Sequence, residues 1–279
     1  MAKLTIVTQN LDGKIDYKLG ESRQKTDSNI IEAIEGKYGK AGMSKEDLNN
    51  INIYAVQELS KFRNKITRTI VRPPFNKDIK DADCAEEIWY KAFPWNEFRG
   101  GYWDECDIEL ARETIKIINF HSSPLYDLAI RYTLLKRLYD IQDRLTILLG
   151  DFNAAFRNQI KIENVKDGGV IKGSVEEGVI EGEDFLKEIT RKYGFIECED
   201  LGELKGEPHY THTHKNEKDN ELKHNKLDHI FISKSLYRLL QKEYKITYID
   251  EVNRDKHPKS AAAFTDHSGI MLTIELPDA

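Results

Sequence analysis

The stretch "FTDHSGIMLTIEL", Phe264 to Leu276, alternates apolar residues with others in its second half, as a half-buried strand does. At its mouth stand Asp266 and His267. A strand end requires only a turn, which Gly or Asn supplies at less cost. Two titratable groups in that position point to a site, provided other strands of the chain end in the same manner.

Six further runs read as strands: "KLTIVTQ", "INIYAVQ", "TIKIINF", "LTILLGD", "LDHIFIS" and "YKITYID". All are rich in Ile, Val, Leu and Thr and are bounded by turn residues. Helical patterns lie between them. "SRQKTDSNIIEAIEGKYG" opens at a Ser22 cap and ends at Gly39. "LYDLAIRYTLLKRLYDIQ" sets Leu128, Tyr132, Leu135 and Leu138 at helical spacing, and "GEDFLKEITRKYG" groups Phe185, Leu186 and Ile189 ahead of Gly194. No linker or repeat divides the chain, so a single α/β domain over residues 1–279 is expected, its strands covered on both faces. Two stretches read as insertions, near 155–182 and 203–226. The first is expected as a hairpin about Asp167-Gly168, the second as a strand, an exposed loop and the lead into another strand.

The strand ends share a chemistry. "KLTIVTQNLDG" finishes with Asn10 and Asp12, "INIYAVQE" with Glu58, "TIKIINFH" with His121 and "LTILLGDFN" with Asp151 and Asn153; "KLDHIFIS" carries Asp228 in its first half. Each has an ordinary explanation alone: turns for the two Asn, helix caps for Glu58 and Asp151, a satisfied core histidine for His121. Together they supply oxygen ligands for a hard divalent cation and imidazoles for proton transfer or phosphate contact.

The ordered set "QNLDG", "VQE", "NFHSSP", "GDFNA", "LDHIF" and "TDHS" resembles the endonuclease/exonuclease/phosphatase superfamily, whose fold is that of deoxyribonuclease I. "HSSP" followed by a helix and "GDFNA" is most similar to the deoxyribonuclease I branch; "QNLDG" is similar to the abasic-site endonuclease branch. The resemblance implies a four-layered α/β sandwich, two central mixed β-sheets flanked by helices. It implies Mg²⁺, with Mn²⁺ able to substitute, held chiefly by Glu58 with Asn10, Asp12 and Asp266. In the same way Asp151 and Asn153 would handle the attacking water and the phosphate, and His121 a phosphate oxygen or the leaving group. Asp228 and His267 would form an Asp-His dyad. Either His267 or Asp151 would act on the water. The implied activity is metal-dependent phosphodiester hydrolysis in nucleic acid, DNA first. A small-molecule or lipid phosphohydrolase is the alternative on this scaffold, and a non-catalytic binding protein a third reading.

Composition bounds the partners. A net charge of −6 is unsuited to coating nucleic acid by bulk attraction and leaves room for a local basic face. "KFRNKITRTIVR" offers one, with Arg63, Lys65 and Arg68 expected on substrate and a solvated helix face as the other reading. Tyr102 and Trp103 in "FRGGYWDE" are candidates for stacking on a base, with a folded surface turn that packs its aromatics inward as the other reading, and Arg112 is a candidate for a substrate contact. Between Glu58 and His121 the sequence departs from the family's pattern. The histidines of "HYTHTHK" lack a thiolate or an evident fourth ligand, which argues against structural zinc. Cys84, Cys106 and Cys198 are odd in number and widely spaced, against a disulfide framework. With no apolar run of about 18 residues and no leader pattern ahead of "KLTIVTQ", a cytoplasmic monomer without membrane contact is expected.

Overall fold

A computed structural model describes residues 2–59, 66–72, 103–122, 127–164, 170–171, 177–199, 209–216, 221–240 and 244–277. Two five-stranded sheets form its centre. The first comprises β1 (Ala2–Asn10), β2 (Ile53–Leu59), β3 (Ile66–Val71), β13 (Lys245–Ile249) and β14 (Gly269–Leu276), in the order β13-β14-β1-β2-β3. The second comprises β4 (Trp103–Leu110), β5 (Glu113–His121), β6 (Leu145–Asp151), β9 (Ile196–Glu197) and β12 (Asp228–Ile232), in the order β4-β5-β6-β12-β9. In each sheet one central pair is parallel, β1 with β2 and β5 with β6, and the remaining pairs are antiparallel.

Side-chain alternation explains the layers. Leu4, Ile6, Ile53, Ala55, Ile115, Ile117, Ile147, Leu149, Ile230, Ile232, Leu272 and Ile274 fill the core between the sheets. The residues that alternate with them face outward. Val7, Tyr54, Val56 and Ile70 pack against Ile30, Ile34 and Tyr38 of α1 (Arg23–Lys40) and Leu48 of α2 (Lys45–Asn49). On the other side Ile118, Phe120, Leu148 and Phe231 meet Ile130, Leu134 and Leu138 of α3 (Asp127–Asp140) and Phe185 and Leu186 of α4 (Glu177–Lys187). The result is the four-layered sandwich. A short α5 (Lys234–Leu239) follows β12.

Local chemistry sets the element ends. Ser22 Oγ accepts from Lys25 N at 3.2 Å, capping α1 where the sequence places its start. Gly150 has φ +132°, and a Cβ there would lie 2.0 Å from the Phe120 carbonyl oxygen, so only glycine lets β6 run this close to β5. The β4–β5 hairpin turns through Ala111 and Arg112, both at positive φ, as a two-residue turn demands.

Three expectations shift. Tyr132 is 69% exposed, because α3 turns Arg131 inward beside Ile130, Leu134 and Leu138. The segment following "KFRNK" is strand β3, not a helix face. In the first stretch read as an insertion, β7 (Ile160–Asn164) pairs antiparallel with β8 (Val170–Ile171), the Asp167-Gly168 turn lies outside the described residues, and the stretch's end, from Glu177, enters helix α4. The second stretch forms β10 (His212–Asn216) and β11 (Glu221–Asn225), and the two stretches join in a third sheet, ordered β10-β11-β7-β8. Among the described residues no helix is long and apolar enough to cross a membrane.

Candidate active site

The rows that build the inter-sheet core end in polar residues at one edge. The β5 row runs Ile115, Ile117, Asn119, His121; the β6 row runs Ile147, Leu149, Asp151; the β12 row begins at Asp228 ahead of Ile230 and Ile232. Register aligns them: His121 lies beside Asp151, and Asp151 beside Asp228. From the first sheet, Asn10 pairs with Gln57. Gln57 reaches across the gap and donates through Nε2 to Asn119 Oδ1 at 2.5 Å and to Thr8 Oγ1 at 3.0 Å, a buried amide layer beneath the site. Leu59, not the next residue in register, resumes pairing with β3, so a bulge turns Glu58 out of the ladder at φ +53°. Asp12 and Asn153 also sit at positive φ, 47° and 45°. Three of the five non-glycine residues at positive φ among the described residues are thus candidate site residues, and the other two make the Ala111–Arg112 turn.

Asp151 stands at the centre. Its Oδ2 accepts from Asn10 Nδ2 at 2.8 Å and lies 3.8 Å from His121 Nε2 and 4.0 Å from His267 Nε2. Its Oδ1 accepts from the Asn153 backbone N–H at 2.8 Å. Asn153 Nδ2 donates to the Ser122 carbonyl at 2.6 Å, which ties the β5 and β6 ends together. Glu58 Oε1 is 3.3 Å from His121 Nε2. His267 Nδ1 is 2.7 Å from Asp228 Oδ2, which leaves Nε2 facing the site. Thr211 Oγ1 accepts from the Asp228 N–H at 3.0 Å and steadies that partner from behind.

Burial governs the protonation states. Desolvation pushes the Asp151 carboxyl up from its ordinary value, and nearby Asp228 adds to this against the opposing pull of His267 and His121. For His267, burial works to lower the pKa, but the charge and hydrogen bond of Asp228, with Asp151 and Asp266 nearby, outweigh it and hold the imidazole at about 10. Asp266 is held well below the usual carboxylate range: burial opposes this, and His212, His267 and Arg254 overcome it. The site therefore pairs an imidazolium with a carboxyl whose proton affinity is enhanced.

Asp12 and Asp266 are bridged by a residue that the sequence did not single out. Arg254 donates to Asp12 Oδ2 at 2.8 Å and to Asp266 Oδ2 at 3.5 Å. Glu58, His121 and Asp151 each present a ligand atom within 4.8 Å of the others. His121 Nε2 and Asp228 Oδ1 are buried without a hydrogen-bond partner among the described residues. An oxygen-dominated donor set with orphaned polar atoms fits a hard divalent cation.

Nine of the residues expected from the sequence are thus gathered at this edge: Asn10, Asp12, Glu58, His121, Asp151, Asn153, Asp228, Asp266 and His267. The substrate candidates are distributed differently. Arg63, Lys65 and Tyr102 lie outside the described residues, and for Trp103 only the backbone is described, opposite Phe120 in the β4–β5 register. Arg68 is ion-paired at 2.5 Å with Asp27 of α1. Arg112 sits in the hairpin turn at the far end of β5, roughly 26–30 Å along the strand from His121. Neither is brought to the cluster.

No protein-family model matches the sequence, and no curated protein matches it. Solved structures do. The AP endonuclease LMAP from Leishmania major superposes with a TM-score of 0.61 at 12% identity, over 99% of this chain and 89% of that one. TDP2 from C. elegans gives 0.53 at 13% identity, over 98% and 75%. The endonuclease domain of TRAS1, a telomere-specific non-LTR retrotransposon, gives 0.52 at 15% identity, over 98% and 99%. The chain shares the fold of these structures, the deoxyribonuclease I-like α/β sandwich.

Proposed function

We propose that this chain hydrolyses phosphodiester bonds in nucleic acid, DNA first, with Mg²⁺ or Mn²⁺. The observation that carries the reading is Asp151, buried between His121, His267 and Asn10, with His267 tied to Asp228 at 2.7 Å. Neighbours on the same fold bear names consistent with it: an AP endonuclease, a retrotransposon endonuclease domain, and a 3′ phosphatase from Neisseria bound to a product DNA hairpin (TM-score 0.50, 16% identity).

Glu58, turned out by its bulge, is the residue that would hold the cation, with Asn10, Asp12 and Asp266 around it. The ion, when bound, would neutralise phosphate oxygens and the departing alkoxide. Asp151, whose burial raises its proton affinity, orients the water and takes its proton as the new P–O bond forms. His267, protonated and aimed by Asp228, donates to a phosphate oxygen and offsets charge where it develops. His121 faces the opposite side of Asp151 and is placed to contact the phosphate or the leaving oxygen. Asn153 joins the strand ends that carry these groups. The whole chain is taken as one catalytic unit.

The test is hydrolysis of duplex DNA, abasic DNA, single strands, RNA and phosphate monoesters with Mg²⁺ or Mn²⁺. Glu58→Gln and His267→Ala should each lower turnover by about 10³-fold with unchanged circular dichroism. Full activity in either variant, or in excess chelator, would sink the proposal. Phosphate release from small monoesters alone would select the phosphatase alternative.

A further inference from the structure

Of the three histidines in "HYTHTHK", two are accounted for. His209 stacks on Tyr248 with centroids 3.6 Å apart and pairs with Asp250 at 2.9 Å, and His214 is exposed. His212 is turned towards the dyad. A β-bridge pairs its backbone with that of His267, and the flanking bonds Thr213 N to Asp266 O (3.3 Å) and Ser268 N to Thr211 O (2.7 Å) lock the two segments together. Its Nε2 lies 3.7 Å from Asp266 Oδ2, and His267 Nε2 lies 3.8 Å from Asp266 Oδ1. The His212 and His267 rings, 4.8 Å apart and tilted by 52°, are not stacked. Ligand atoms of all three residues fall within 4.8 Å of one another.

We infer that His212, Asp266 and His267 form a transition-metal site suited to Zn²⁺, which shares Asp266 with the hard-cation position at Glu58 and differs from it by its two imidazole ligands. Two imidazoles and one carboxylate suit a borderline metal rather than Mg²⁺. Tetrahedral Zn²⁺ with bonds near 2.0–2.1 Å places its ligands about 3.3 Å apart, so the contacts of His212 and His267 with Asp266 need to close by roughly half an ångström. The surroundings favour it. Asp228 on His267 Nδ1 at 2.7 Å supplies the carboxylate–histidine support that metal-bound imidazoles use, and it leaves Nε2 as the ligating nitrogen, whose proton is released to solvent as Zn²⁺ binds. Arg254 competes for Asp266, but its shorter contact is to Asp12, 2.8 Å against 3.5 Å. Three protein ligands leave a fourth position for water or for Asp151 Oδ2, 4.0 Å from His267 Nε2. Occupation takes His267 Nε2 out of phosphate contact, so Zn²⁺ silences the hydrolysis. That second half rests on the function proposed above; the binding site does not.

The experiment uses the full, tag-free chain stripped of metal. Zn²⁺ is titrated calorimetrically, and Co²⁺ is added to follow its visible absorption. A tight site with tetrahedral Co²⁺ bands is expected, with affinity lowered by about 100-fold in His212→Asn and unchanged in His209→Asn. In the hydrolysis assay Zn²⁺ should inhibit the wild type, while H212N keeps its Mg²⁺-supported rate within about threefold and resists Zn²⁺. Equal Zn²⁺ affinity in wild type and H212N overturns the site. Binding without loss of hydrolysis overturns the inhibition. A wild type inactive on every ester overturns the functional proposal alone, because the calorimetry and the Co²⁺ spectrum still judge the site.

Discussion

Replacing Arg131 by Met tests whether the loop that follows Asp151 is held from behind. Arg131 is 4% exposed, on the inward face of α3. Its NH2 donates to the Asn153 carbonyl at 3.0 Å and the Phe152 carbonyl at 3.4 Å, and its Nε to Ser122 Oγ at 3.4 Å. His229, fully buried, adds an Nε2 contact to the next carbonyl, Ala154, at 2.8 Å. Three successive carbonyls after Asp151 are therefore held by two buried side chains. Met fills most of the arginine's volume, so the main loss is of donors. An orphaned buried carbonyl costs about 1–3 kcal/mol, but 3.4 Å contacts are weak, so Asn153 dominates and the sum is about 2–3 kcal/mol. In a chain of this size that lowers Tm by about 3–5 °C. With the loop loosened, Asp151 and Asn153 lose their register, and a misplacement of about 1 Å costs about 10²-fold in kcat. KM should change little, because Arg131 lies beneath the loop. Thermal unfolding and steady-state hydrolysis decide it. Wild-type kcat in a folded R131M protein would refute the positioning argument, and an unchanged Tm would refute the assigned hydrogen bonds.

Two further substitutions have definite signs. Asp228→Asn removes the partner that raises His267 to about 10, so an NMR titration should find its midpoint lowered by about two units or more. Since the folded value exceeds the ordinary 6.5, this pairing stabilises the wild type fully below pH 6.5 and ceases to do so as the pH rises through about 10. The D228N stability curve should be flatter over that window, and an unmoved His267 midpoint would contradict the assignment. Gly150→Ala drives a Cβ to 2.0 Å from a backbone oxygen at φ +132° and should cost on the order of 4 kcal/mol in thermal melts. A loss under about 1 kcal/mol would show that β5 and β6 are not so close.

What the sequence reveals and what it conceals follow from the same geometry. Strands whose two faces are both apolar were legible as runs, and their polar tips were legible because strand parity continues the core-facing row to the open edge. Ile117, Asn119 and His121 form one such row; Ile147, Leu149 and Asp151 form another. β4 was not legible, because charges fill "WDECDIEL" and are neutralised by distant residues: Glu105 by Arg137 at 2.8 Å, Asp107 by Lys116 at 2.9 Å. The phase of α3 was misread for a related reason. A buried arginine took a place on its inward face, and Tyr132 was left outside. Arg254 likewise acts on Asp12, 242 positions away in the chain, and nothing local marks it. Spacing thus reports the groups that line the cavity and passes over the cations that fix their carbonyls and carboxylates. Those cations meet partners brought close only by the tertiary fold. The dyad shows both sides of this. His267 was visible as a polar residue before a strand, whereas its proton depends on Asp228, whose place opposite Asp151 is a consequence of β12 register. A change that slipped β12 by one residue would leave every motif intact and turn Asp228 to the outer face. The chemistry therefore rests on register as much as on residue identity.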